Sequence, residues 1–361
     1  MKKLSILVFL LAAVSCETPL FIDPVGPEQM LVLQARLLTS DTLHTVYASY
    51  STHDSLSRAT DLTVSCYVNG VRVAETSWAG TPEGNYHTTQ IASAYRFKAD
   101  IHPGDSVRIE AEGPKEKAVA KVKALNALPI PDVSVEKISK QDNNGRESSC
   151  FRFTIRVQDE PGQRNWYRMA CSSKQVMEWY APGQPFYGIE EDGWIVDWER
   201  EAFIQVDNTR DPLLNPGGQI SDEHQYQGNE YNFFTDELFE DKSTVLTLDA
   251  YALDYFLLYS GWQSTSVDGI MYNQHRVYHT AYFDLQNMSR EDFIYNRLLG
   301  MHHFSLGGVN FIERFFSEDI ALPQNVEGGL GFVTVRTVSR AVVDLGVTEF
   351  TDYYPDYNYD L

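Results

Sequence analysis

Apart from an apolar run near its N-terminus, the sequence has no long hydrophobic run. Beyond residue 14 no stretch approaches the roughly 20 consecutive apolar residues that a membrane-spanning helix needs, and the most apolar candidate, 250–262, is interrupted by Asp254. Basic residues are also scarce, with 29 Lys and Arg against 50 Asp and Glu and a formal net charge of −21. Because such a charge repels nucleic acid and anionic lipid head groups, we expect no nucleic-acid partner.

Motifs of enzyme chemistry are missing too. No Gly-x-Ser-x-Gly nucleophile elbow occurs, and no papain-like signature surrounds a cysteine. Neighbouring carboxylates such as Glu190 and Glu191 are abundant in so acidic a chain, whereas acid-base catalysis requires two of them to converge on one substrate bond. We predict no enzymatic activity and no catalytic residues. A hydrolase whose carboxylates converge only in the folded β domain is the alternative.

Two short segments are candidates for metal binding. His302 and His303 are adjacent, so their side chains point apart, while a zinc site needs three or four convergent ligands. Residues 142–145 read Asp-Asn-Asn-Gly, which does not meet the calcium-loop pattern and is typical of a turn between strands. We therefore predict no metal and no cofactor.

The N-terminus has the order of a secretory signal. Two lysines follow the first methionine, and an apolar run from Leu4 to Val14 comes next, too short to span a bilayer. Cys16 then stands where a lipoprotein carries its first mature residue. We predict that residues 1–15 are a signal peptide and that Cys16 is lipidated. Several acyl chains would then hold the protein on a membrane.

The other three cysteines would lie in an oxidising compartment, where disulfides persist. Cys66 alternates with Val64 and Val68 on one strand face and is predicted to be a buried thiol. Cys150 and Cys171 lie on successive predicted strands. A bridge between these two is one interpretation and a pair of free thiols is the other, because spacing in the sequence does not reveal the geometry of the partners.

Strand patterns dominate the mature chain. Residues 62–68 alternate between two faces, and Asn69-Gly70 joins them to a second strand-like run, which is a strong hairpin signal. About seven short strands in roughly 100 residues is the number found in immunoglobulin-like sandwiches. We predict that residues 16–126 form an immunoglobulin-like β-sandwich. The other strands predicted in it lie at 30–38, 45–51, 85–95, 106–112 and 117–125.

A larger unit is predicted after a proline-containing linker. Pro129 and Pro131 disfavour both helix and central strand, so we end the first unit at residue 126 and assign 127–361 to a larger antiparallel β domain. One short helix is predicted to begin at Ser289, whose side chain can cap the free amides. The strands predicted in this domain lie at 151–157, 164–178, 194–207, 243–251, 275–285 and 330–338.

An aromatic loop is the candidate for ligand binding. Glycines and prolines at 181–188 predict a loop, and aromatic side chains on a loop can stack on sugars or hold a peptide. The alternative is that the rings cover the edge of the core. Alternating apolar residues at 194, 196 and 198 are expected to face the core. The predicted ligand-binding residues are Trp179, Tyr180, Phe186 and Tyr187.

The end of the chain carries the most characteristic motif. After the predicted helix comes a polar loop and then Pro-Gln-Asn-Val-Glu-Gly-Gly-Leu-Gly-Phe at 323–332. With the lipoprotein cysteine, the N-terminal sandwich and the proline linker, this segment resembles the closing signature of a Bacteroidota family of outer-membrane lipoproteins with a domain of unknown function. The resemblance covers nearly the whole mature chain.

The resemblance implies a location and a class of role. Members are lipid-anchored at the cell outer membrane, in a leaflet that the sequence does not decide. They are commonly encoded near TonB-dependent receptors, which implies such a receptor as partner and a non-enzymatic accessory or ligand-capturing role in import. The ligand would be a peptide, a glycan or a small molecule. An envelope hydrolase and a cell-surface adhesin or structural lipoprotein are the alternatives.

Overall fold

The computed structural model describes residues 29–51, 56–78, 92–141, 147–180, 193–204, 206–214, 232–239, 241–251, 265–267, 270–272, 274–296 and 322–351. The strands of the first part of the chain are β1 Met30–Leu38, β2 Leu43–Ser51, β3 Leu56–Arg58, β4 Thr63–Val68, β5 Val71–Ser77, β6 Ser93–Lys98, β7 Ser106–Glu112, β8 Lys117–Lys123, β9 Asp132–Gln141 and β10 Glu147–Gln158. Those of the second part are β11 Trp166–Tyr180, β12 Trp194–Phe203, β13 Val206–Asp207, β14 Phe233–Thr235, β15 Ser243–Tyr251, β16 Thr265–Val267, β17 Ile270–Tyr272, β18 Gln274–Met288, β19 Val326–Glu327 and β20 Leu330–Thr351. A 3-10 helix occupies Asp236–Leu238, and an α-helix, α1, begins at Arg290 and is described to residue 296.

The mainly β prediction is confirmed. The hairpin at Asn69-Gly70 is present between β4 and β5, with positive φ angles of 50° and 84° as a type I′ turn requires. The helix predicted at Ser289 is also present. The Ser289 hydroxyl accepts a hydrogen bond from the Asp292 N–H at 3.1 Å, and the Ser289 carbonyl accepts one from the Phe293 N–H at 3.0 Å.

One long sheet of nine strands organises the described chain. Its main order is β12-β11-β18-β20-β1-β2-β3, with β14 and β6 pairing to β11 and β2. Its strand pairs are antiparallel except β1 with β20, which are parallel. A five-stranded sheet, β19-β8-β7-β4-β5, and a four-stranded sheet, β13-β15-β10-β9, share cores with one face of the long sheet. We call that face the inner face and the opposite one the outer face.

The first core lies between the long sheet and the five-stranded sheet. Alternate residues of β1 enter it, and Leu31, Leu33 and Leu37 are fully buried there. Val107 and Ile109 of β7 meet them from the other side. Burial of each such side chain stabilises the fold by roughly 1.5–3 kcal/mol.

The second core lies between the long sheet and the four-stranded sheet. Tyr167 of β11 and Phe283 of β18 are fully buried, and Phe153 of β10 packs on Phe283 with ring centroids 4.7 Å apart. The Tyr167 hydroxyl donates to the Asp159 carboxylate. Burial and this carboxylate together raise the pKa of Tyr167 well above its usual value, so the hydroxyl stays a donor.

The strand β20 joins the two cores. Over 22 residues it pairs first with β1, as far as Arg336, and then with β18. On its inner face Val333 and Val335 lie in the first core, and Ala341 lies in the second. The N-terminal sandwich is therefore completed by the last long strand. The division at residue 126 and the immunoglobulin-like topology stay predictions.

The predicted linker crosses the inner face between the two cores. Residues 124–131 form no strand, in keeping with their prolines. The Thr337 hydroxyl donates to the Leu125 carbonyl at 2.6 Å, and the Ser339 hydroxyl donates to the Leu128 carbonyl at 2.6 Å. Two hydroxyls on alternate positions of β20 thus hold the linker against the sheet.

The glycine-rich signature leads the chain into β20. Gly331 has a φ of 114°, and a Cβ there would lie 2.0 Å from the Leu33 carbonyl oxygen of β1. The Asn325 side chain pairs with the Val333 backbone as a strand would: its Nδ2 donates to the carbonyl at 2.6 Å and its Oδ1 accepts from the N–H at 2.9 Å. The signature residues therefore have a structural role.

A buried polar network holds α1 on the outer face. The guanidinium of Arg336 donates from Nε and Nη2 to Asp292 at 2.7 and 2.9 Å, and neither side chain is exposed. Its Nη1 donates to Gln286 at 2.9 Å, and the Thr334 hydroxyl donates to Asp292 at 3.0 Å. Asn296 connects this network to β1 by accepting a hydrogen bond from Arg36 at 2.7 Å.

The cysteines require a correction. Cys66, Cys150 and Cys171 are free and buried, so the interpretation of a Cys150–Cys171 bridge is wrong. Cys150 belongs to the four-stranded sheet and pairs with Tyr251 and Ile138, whereas Cys171 belongs to the long sheet and pairs with Phe283. Burial raises the pKa of Cys66 to about 11 and that of Cys171 to about 12.

Candidate ligand-binding surface

The outer face of the long sheet carries different side chains near α1 and away from it. Near α1 it is covered by the buried Arg336 network, but toward the far ends of β11, β12 and β18 it carries half-buried aromatic rings and arginines. Five side chains meet there, and we call them the aromatic–arginine cluster: Glu178, Tyr180, Trp194, Arg276 and Tyr278.

The cluster is built around one guanidinium. The Cζ atom of Arg276 lies 4.2 Å from the centroid of the Trp194 ring and 5.4 Å from that of Tyr278. Tyr180 packs against Trp194 with centroids 5.3 Å apart. The Arg276 Nε also donates to the Glu178 carboxylate, which fixes the guanidinium in place. Cation–π and ion-pair contacts thus hold the aromatic rings in one arrangement.

A β-bulge in β12 puts Trp194 into this cluster. Trp198 pairs with Met177, but Val196 pairs with Glu178, so the register shifts by one residue between them. After the shift Trp194 stands opposite Tyr180. The expectation that residues 194, 196 and 198 share a core-facing side is therefore wrong. Val196 is 55% exposed, and Trp194 packs with Tyr180 and Arg276.

A second arginine on the outer face, nearer the middle of the sheet, also pairs with an acid and packs on an aromatic ring. Arg340 of β20 is bidentate to Asp284, at 2.6 and 2.8 Å, and its Cζ lies 4.9 Å from the Tyr282 ring centroid. The hydrogen bonds to Asp284 raise the pKa of Arg340 above its usual value. Val342 and Val347, which pair with Tyr282 and Tyr278, are 62% and 46% exposed. The outer face therefore combines exposed apolar area with fixed cations.

The structure does not bring all of the predicted ligand-binding residues to one place. Tyr180 lies in the aromatic–arginine cluster on the outer face. Trp179, its neighbour on β11, points to the inner face, where it is half-buried and pairs with His275 and Ile195. Phe186 and Tyr187 lie outside the described residues. Arg276 and Tyr278 were not predicted, because their place beside Trp194 depends on strand pairing across about 80 residues of sequence.

A cleft lies at the opposite end of the same strands. It has a volume of about 450 Å³ and forms where β11 begins, beside the 3-10 helix and the first turn of α1. Its apolar lining is Trp166, Phe293 and Ile294. Its polar lining is Arg164, Thr235, Glu237 and Arg290. No sequence pattern indicates this cleft, since its residues come from three separate segments.

A cluster of charges lies on the four-stranded sheet. Lys140 forms ion pairs with Asp207 and with Asp249, the latter at 3.3 Å, and Arg152 binds Asp249 at 2.8 Å. Burial alone would raise the pKa of Asp207, but hydrogen bonds from Lys140 and Thr209 outweigh it and lower that pKa to about 2. The cations of this cluster are matched by its own acids, which indicates a structural role.

Within the described ranges, no three His, Cys, Asp or Glu side chains converge as a metal ion requires. No helix in that part of the chain is long and apolar enough to cross a membrane. Cys16, residues 142–145, His302 and His303 lie outside the described residues.

Comparison with known proteins gives a family without an established activity. A search among curated proteins gives no match to the chain. A protein-family model described as Domain of unknown function (DUF4249) matches residues 17–341. Because this match covers most of the sequence, the chain belongs to the DUF4249 family.

Proposed function

We propose that this protein is a non-enzymatic, ligand-capturing lipoprotein of a Bacteroidota outer membrane, anchored through Cys16 and working beside a TonB-dependent receptor. The observation that carries the ligand-capturing role is the aromatic–arginine cluster. Its rings are held in place by Arg276 while their outer side faces away from both cores. Half-buried aromatic rings beside exposed apolar side chains such as Val196 and Val347 are typical of surfaces that bind a partner.

The chemistry of the cluster favours a ligand with flat or ring-shaped apolar faces and polar edges. Trp194, Tyr180 and Tyr278 offer rings for stacking, and Glu178 with Arg276 offers an acceptor and donors beside them. A glycan or an extended peptide with aromatic residues has both features. The N-terminal unit, for which we propose an immunoglobulin-like topology, would serve as the support between this surface and the anchor.

The capture role is tested by offering the full-length protein, purified in detergent, to a glycan array and a peptide array. We expect binding to a restricted set of ligands, with weaker signals for the Tyr180→Leu variant. The bound ligand should be recovered with unchanged mass after prolonged incubation. Cleavage of the ligand would contradict the non-enzymatic role, and uniform absence of binding on both arrays would contradict capture.

The anchor is tested separately. Wild-type protein expressed in a Bacteroidota host should incorporate radiolabelled palmitate and fractionate with the outer membrane, whereas the Cys16→Ser variant should incorporate none. Co-purification of a TonB-dependent receptor with the wild-type protein, from membranes solubilised after mild cross-linking, would support the partnership. Labelling of the Cys16→Ser variant, or an intact N-terminus in the mature protein, would contradict the anchor.

A further inference from the structure

The cleft between β11, the 3-10 helix and α1 combines an apolar lining with cationic groups. Trp166, Phe293 and Ile294 line its apolar part, and Phe293 is itself packed edge-on against Phe233, with ring centroids 5.9 Å apart and planes at 80°. These contacts fix one wall of the cleft. A volume of about 450 Å³ lies within the range of small-molecule sites, which is about 300–1,000 Å³.

The two arginines of the cleft are in different situations. Arg164 donates to Glu237 at 2.8 Å and is committed to that carboxylate. Arg290 is exposed, and its guanidinium makes no ion pair or hydrogen bond with the described part of the chain. The acidic residue that lines the cleft with Arg290 is Glu237, and it pairs with Arg164 instead. The guanidinium donors that the described residues leave unpaired suit an anion from outside the chain.

A hydroxyl adds a further donor. Thr235 precedes the 3-10 helix as its N-cap residue, but its side chain makes no capping hydrogen bond. Since Thr235 lines the cleft, its hydroxyl is available to a ligand. A planar carboxylate can accept from a guanidinium and a hydroxyl together, while an apolar body attached to it would lie against Trp166 and Ile294.

We infer that this cleft binds a small carboxylic acid with an aromatic or aliphatic body. The carboxylate is held by Arg290 with Thr235, and the body lies on the apolar lining. Glu237 opposes this binding, because its charge repels a carboxylate and occupies Arg164. The cleft shares no residue with the aromatic–arginine cluster, so this inference does not depend on the proposed capture role.

The test compares two probes that differ mainly in charge, 3-phenylpropionate and 3-phenylpropan-1-ol. Each is titrated into the full-length protein in detergent and followed by ligand-observed NMR, with protein-free micelles as the blank. We expect the acid to bind about ten-fold more tightly than the alcohol, because charge-assisted hydrogen bonds form only with the acid. Arg290→Gln should remove this preference.

Two further variants are included, one that should strengthen binding of the acid and one that serves as a control. Glu237→Gln should strengthen binding of the acid by about three-fold, since it removes a repelling charge and releases Arg164. Arg72→Gln is the matched control, because Arg72 is an exposed arginine paired with Glu75 on β5 and should leave the affinity unchanged. The inference is overturned if the acid does not bind at about 10 mM, if the alcohol binds as tightly, or if Arg290→Gln has no effect.

Discussion

Arg336 and Asp292 form a bidentate ion pair in which neither side chain has any exposure to solvent. Arg336 lies on β20 and Asp292 lies in the first turn of α1, so the pair joins the helix to the strand that spans both cores. Gln286, Thr334 and Asn296 satisfy the remaining polar atoms around it. The pair therefore fixes where α1 lies on the outer face.

Replacing one partner of this pair should destabilise the protein strongly. We expect Asp292→Asn to lower the free energy of unfolding by about 3–5 kcal/mol, because a buried guanidinium is left without a counter-charge. The measurement is urea unfolding followed by tryptophan fluorescence. Asp284→Asn is the control and should cost less, because its partner Arg340 is 42% exposed. Equal costs for the two variants would contradict the burial argument.

Gly331 should be far less tolerant of substitution than Gly162. Both have positive φ angles, 114° and 86°, so Gly→Ala strains the backbone at each position. At Gly162 a Cβ would meet nothing within 4 Å, whereas at Gly331 it would lie 2.0 Å from the Leu33 carbonyl oxygen. We expect Gly162→Ala to cost about 1 kcal/mol in thermal or urea unfolding and Gly331→Ala several times more. Similar costs would mean that β1 and β20 do not approach as described.

The three buried cysteines should be unreactive in the folded protein and free in the unfolded one. Burial raises the pKa of each thiol, so little thiolate is present at pH 8 to attack a disulfide reagent. With Ellman's reagent we expect no reaction in buffer. In guanidinium without any reductant, Cys66, Cys150 and Cys171 should all titrate. Titration of one thiol alone would restore the disulfide interpretation.

Acid should destabilise the protein partly through Asp207. The pKa of this carboxyl is about 2 in the folded state and about 3.9 in the unfolded state, so the unfolded state binds more protons between these values. The stabilisation is complete above about pH 4 and is lost as the pH falls through about 2, up to about 2 kcal/mol. Urea midpoints between pH 2 and 7 should fall less steeply for Asp207→Asn. An unchanged pH profile would contradict the low pKa.

Local sequence patterns predicted local structure well. The alternation in 62–68, the Asn69-Gly70 turn and the cap at Ser289 each depend on neighbouring residues, and all three are present. The parallel pairing of β1 with β20 joins residues almost 300 positions apart, which no local period encodes. The sequence therefore indicated strands and a helix but not that two cores share one sheet.

The candidate surface was predicted only in part for the same reason. Alternation places Trp194 with Trp198, but one bulge reverses that relation and brings Trp194 beside Tyr180. Bulges leave no reliable mark in a single sequence. Of the predicted residues, Tyr180 lies in the aromatic–arginine cluster, while the arginine that organises the rings comes from β18.

The most direct test of the proposed capture role is the dissociation constant of an array-identified ligand for two tryptophan variants of the same strand. Trp194→Leu removes a ring of the aromatic–arginine cluster, and Trp198→Leu removes a ring that belongs to the opposite face by its pairing with Met177. We expect about five- to ten-fold weaker binding for Trp194→Leu, because one stacking ring is lost, and unchanged binding for Trp198→Leu. Equal affinities of both variants and the wild-type protein would contradict it.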